Sequence, residues 1–139
     1  MGKINVARVI LGGLLAGLIV NIGETVLNVV VLASQMESVT KARNVPPVGG
    51  PAIAGFVIMS FALGIGIVWL YAAVRPRFGP GVGTAVITGV IVWLLSFGWS
   101  NLVDTLMQFI PTNVTAIALV WSLFEVVIAS IAGAWVYKE

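Results

Sequence analysis

The chain has 139 residues, 60% of them hydrophobic and 9% charged, with a formal net charge of +2. Together with a mean hydropathy of +1.12, this excludes an ordinary soluble domain and points to an all-α integral membrane protein: four transmembrane helices in an antiparallel bundle, about 20 residues each, with no room for an extramembrane catalytic domain. Cysteine and histidine are both lacking, which removes disulfides, thiolate catalysis, the usual zinc sites and imidazole-ligated haem, so no cofactor is expected.

The first span is expected over about residues 5–33. Its basic flank, Lys3 and Arg8, resembles a signal peptide, but the apolar run is too long for one, so an uncleaved helix is expected. Asn21-Ile22-Gly23-Glu24-Thr25-Val26-Leu27-Asn28 stands inside that run. A carboxylate at membrane depth costs roughly 3 kcal/mol or more, so Glu24 is a functional candidate that needs a partner. Gly13, Gly17, Asn21, Glu24 and Asn28 share one helical face, with Gly12 and Ala16 beside it. Small residues there let another helix come close, and the polar ones need interhelical partners.

Residues 34–51 contain Glu37, Lys41 and Arg43 and end in Pro46-Pro47-Val48-Gly49-Gly50-Pro51. Such a density of proline and glycine predicts a loop, with Pro51 suited to the first turn of the next helix; a short amphipathic helix around 34–42 is the alternative for its first half. The second span, about 52–74, has no ionisable residue. Trp69 and Tyr71 near its end, followed by Arg75-Pro76-Arg77, fit an aromatic belt and a basic loop. Phe78-Gly79-Pro80-Gly81-Val82-Gly83 predicts a tight connection.

The third span, about 84–109, grows more polar toward its end through Ser96, Ser100, Asn101, Asp104, Thr105 and Gln108, and Trp93 and Phe97 are placed to wall that strip. Thr112 or Asn113 can cap the fourth span, about 114–137, which carries Ser122 and Glu125 near its middle. With both termini inside, five basic residues (Lys3, Arg8, Arg75, Arg77, Lys138) face two outside (Lys41, Arg43). That count predicts cytoplasmic termini and an outer 34–51 loop in a bacterial cytoplasmic membrane. At 1.5 Å per residue, Glu24, Asp104 and Glu125 then lie about 15, 10 and 18 Å below the outer boundary.

Asn101-Leu102-Val103-Asp104-Thr105-Leu106-Met107-Gln108 repeats the polar pattern of residues 21–28. A duplicated helical hairpin would set Glu24 and Asp104 facing each other across a pseudo-two-fold axis. Adjacent carboxylates in a low dielectric cannot both stay charged without a counter-charge, so such a pair holds a proton or recruits a cation. Asn21, Asn28, Asn101, Gln108, Thr25 and Thr105 supply neutral oxygens around it, and the cores of the spans contain no Lys or Arg.

Proton- or cation-coupled transport, or binding of a small cationic or polar ligand, is therefore expected, with Glu24, Asp104 and Glu125 as the titrating set. Leu123-Phe124-Glu125-Val126-Val127 resembles the glutamate-bearing segment of the small multidrug resistance exporters, compact four-span proteins that exchange protons on a membrane glutamate. The resemblance covers five residues, and that family's glutamate sits in the first span rather than the last. It implies a shared chemistry at Glu125 and not membership.

The second reading is a non-catalytic accessory or assembly subunit that oligomerises or docks onto a larger membrane complex through Gly13, Gly17 and the aromatic rims, its acids acting as hydrogen-bonded locks. An enzyme is disfavoured because acid-base work would fall to carboxylates alone. The expected partners are the bilayer, a proton or small cation, and a second copy or larger complex. Nucleic acid is excluded, since no Lys/Arg run exists to track phosphates.

Overall fold

A computed structural model describes residues 3–138. Helix α1 (Val6–Val26) begins at Asn5, whose side chain accepts the Arg8 N–H at 3.2 Å. The chain then widens into a π-helical turn, Leu27–Val31, bends at Leu32 (φ −106°) and continues as α2 (Ala33–Ala42). The stretch expected as a loop is thus helical in its first half, and only 43–49 has no regular structure.

Helix α3 (Gly50–Phe78) carries Pro51 in its first turn and outruns the expected 52–74, because Arg75-Pro76-Arg77 remains helical. Its end is closed by Gly79, whose N–H donates to the Arg75 carbonyl at 2.8 Å. Gly79 (φ 84°) and Gly81 (φ 127°) adopt backbone angles that side chains disfavour, which makes a reversal this short feasible. The Tyr71 hydroxyl accepts the Gly81 N–H at 3.1 Å and ties the turn to α3.

Helix α4 (Val82–Trp93) passes through a second π-helical turn, Leu94–Gly98, into α5 (Trp99–Leu106). Helix α6 (Thr112–Val136) follows. Neither Thr112 nor Asn113 caps it. Pro111 holds the cap position with ψ 137°, and its carbonyl accepts the Val114 and Thr115 N–H groups at 3.0 and 3.1 Å. The proline ring fixes φ at this position, and no side chain caps the helix start.

Four helices are long and apolar enough to cross a membrane: Val6–Val31, Gly50–Phe78, Val82–Leu106 and Thr112–Val136. They pack through α1, which lies against both α3 and α6, while α6 also packs on α4. Small residues make the contacts. Gly64 of α3 meets the backbone of Gly13 and Gly17, and Gly12 meets Gly133 of α6. Gly89 of α4 touches Val127 and Ser130, and the buried Ser130 hydroxyl donates to the Ala85 carbonyl at 2.7 Å. Many large apolar side chains point outward, Leu95 being 73% and Trp135 80% exposed, while Val20, Ile67, Val68 and Val126 are buried between the helices. Close approach at small residues is how helices associate where the surroundings are themselves apolar.

One end of the bundle is tightly joined. The Asn5 N–H donates to the Tyr137 hydroxyl at 3.3 Å, Tyr137 meets Tyr71 edge to face at 6.1 Å, and the Arg75 guanidinium lies 5.6 Å from the Tyr137 ring. The opposite end, where both π-helical turns and α2 lie, is looser and holds two cavities.

Candidate functional site

The acid buried most fully is Glu125, 6% exposed, where α6 faces α1. Its carboxyl rests against Gly23, close enough that a Cβ on that glycine would collide with it. A side chain at residue 23 would have to displace that carboxyl. Trp121, one turn earlier on α6, points its indole N–H at both the Gly23 carbonyl and Glu125 Oε2, each at 3.2 Å. Glu125 Oε1 is buried with no hydrogen-bond partner among the described residues, a state that demands a proton, a water or an ion.

Glu24 follows Gly23 directly, is half-buried, and interacts electrostatically with Glu125. Asn28 donates its amide to the Glu24 carbonyl at 2.9 Å and to Glu24 Oε2 at 3.0 Å. The acid that shares an electrostatic field with Glu24 is thus Glu125. Beside it opens a cavity of about 130 Å³, walled by Glu24, Asn28, Asn101 and Thr115 among apolar side chains that include Leu27, Phe97 and Met36. Both π-helical turns border it, through Leu27 and Asn28 in one and Phe97 in the other. A π-helical turn displaces the following side chains round the helix axis and recurs at functional positions.

Neither Asp104, half-buried on α5, nor Glu125 is among the cavity walls. Thr105 and Gln108 border a second, larger groove instead. Asn21 donates to the Gly17 carbonyl at 3.0 Å and Asn101 to that of Phe97 at 2.8 Å, while Thr25 and Thr105 donate back to the carbonyls of Asn21 and Asn101. These bonds within each helix are ones Asn and Thr commonly make; Asn21 also donates to the Val57 carbonyl of α3 at 3.4 Å. The stretches also differ: one π-helical turn overlaps the end of the first motif, the other precedes the second, and Gln108 (φ 54°) has left the helix.

Of the aromatic residues expected to wall the polar strip, Phe97 lines the cavity and Trp93 donates its indole N–H to Ser122 Oγ at 3.0 Å. Trp121, Gly23 and Thr115 were not singled out by sequence. The spacing of four between Trp121 and Glu125 was a usable signal, because such residues stack on one helical face. The role of Gly23 required a neighbouring helix. Among the described residues the ion pair present is Lys41–Glu37, exposed on α2 at 2.6 Å, so no basic side chain neutralises the carboxylate pair. Comparison with protein-family models, curated proteins and solved structures finds no match.

Proposed function

We propose that this is a multi-pass membrane protein, an antiparallel four-span bundle with cytoplasmic termini, that binds a proton or a small cation at Glu24 and Glu125 and couples that binding to transport. The observation that carries this reading is the cavity reaching Glu24, whose electrostatic partner Glu125 keeps a buried oxygen with no hydrogen-bond partner among the described residues. Two neighbouring carboxylates without a basic partner need a mobile positive charge. Asn28, Asn101 and Thr115 offer neutral oxygens around the same space, as a desolvated cation requires.

The test is a thermal-shift series in detergent with Na⁺, K⁺ and small amines over a range of pH, followed by flux into pyranine-loaded proteoliposomes. Ligand binding to the folded state raises apparent stability by mass action. A cation that stabilises the wild type is expected to lose its effect in Glu24→Gln and Glu125→Gln, with proton movement abolished; unchanged binding and flux would sink the proposal. A second reading, that of an assembly subunit, draws support from the indole bond that fastens Glu125 Oε2. It predicts that no cation or pH change alters stability through these two residues.

A further inference from the structure

The larger cavity, a groove of about 470 Å³, lies between the end of α2 and the turn joining α5 to α6. Ile110 borders both this groove and the Glu24 cavity, but the chemistry of the two differs. Here the charged wall is a cation, Arg43, accompanied by Thr105, Gln108 and Thr112, and no carboxylate lines the groove. Arg43 donates to the Gln108 carbonyl at 2.6 Å and lies 5.3 Å from the centre of the Phe109 ring. Those contacts hold the guanidinium in place, and its remaining N–H donors have no partner among the described residues. A positioned guanidinium with free donors matches phosphate oxygens well.

The rest of the groove is apolar, through Val39, Phe109 and Ile110, and its neighbours Leu106 and Met107 are 74% and 59% exposed. We infer that this groove binds the phosphate headgroup of an anionic membrane lipid, with Arg43 taking the phosphate and the apolar wall taking the start of the acyl chains. A free phosphate would leave that wall unused. A zwitterionic headgroup would bring an ammonium into a groove that offers it no carboxylate. The inference rests on the membrane reading but not on cation coupling at Glu24. Because the groove is bounded by both α2 and the α5–α6 turn, a seated lipid would pin α2 beside the Glu24 cavity, which Met36 of α2 also lines.

The test is binding of short-chain phosphatidylglycerol, phosphatidylcholine and inorganic phosphate to the detergent-solubilised protein, read by native mass spectrometry and thermal shift. Phosphatidylglycerol is expected to bind at least tenfold more tightly than phosphatidylcholine, and inorganic phosphate not at all. Arg43→Gln should erase the difference between the lipids and Arg43→Lys should restore part of it, separating charge recognition from damage to the fold. Glu24→Gln should leave it intact, which keeps this result independent of cation coupling. Equal binding of the two lipids, phosphatidylglycerol binding unaffected by Arg43→Gln, or Arg43-dependent binding of inorganic phosphate alone would overturn the inference.

Discussion

The carboxyl of Glu125 occupies the space that a side chain at residue 23 would fill. Two helices far apart in sequence are fitted together there by a missing Cβ on one and an acid on the other, and Glu24 follows directly in the chain.

Gly23→Ala should force the Glu125 carboxyl to move. The methyl would meet a side chain that can shift, so the cost should fall at the low end of the range for overpacking, about 1–3 kcal/mol. Denaturation in detergent should show that loss in the wild type and little of it in a Glu125→Ala background, because the penalty belongs to the pair.

Trp121→Phe keeps an aromatic side chain but removes the pyrrole ring and with it the N–H that reaches Gly23 and Glu125. The expected loss is about 1–2 kcal/mol. Any pH-dependent fluorescence change traced to Glu125 by Glu125→Gln should also vanish in Trp121→Phe.

Glu125→Gln and Asp104→Asn should behave differently. Glu125 interacts electrostatically with Glu24 and its carboxyl lies against Gly23, whereas Asp104 lies on α5. Cation-dependent stabilisation should disappear in the first and persist within about twofold in the second; equal loss in both would mean that the three acids act as one site.

Two glycines of α3 offer a controlled comparison. At Gly64 a Cβ would strike the backbone of Gly13 and Gly17, while at Gly66 it meets nothing within 4 Å. Gly64→Ala should destabilise by about 1–3 kcal/mol, since backbone cannot swing aside. Gly66→Ala should be neutral or stabilising by up to about 1 kcal/mol, as measured by unfolding in detergent.

The four long apolar helices, and the prominence of Glu24 and Glu125 within them, were legible in the chain alone. Length and apolar composition are local properties, and an acid in an apolar run stands out wherever the helices lie. The helical retention of Arg75-Pro76-Arg77 and the cap supplied by Pro111 were misread, because proline signals a break whether or not the last turn has already closed.

Only the tertiary structure brings Glu125 into the electrostatic field of Glu24. The internal echo suggested Glu24 with Asp104, but pairing depends on the rotation of each helix about its axis. That rotation is set by glycine contacts such as Gly64 with Gly13 and Gly12 with Gly133, and by two π-helical turns. None of these can be read along one chain, since a close approach between backbones is a property of two helices at once. They bring Glu125 onto Gly23, and with it Glu24 into the same field.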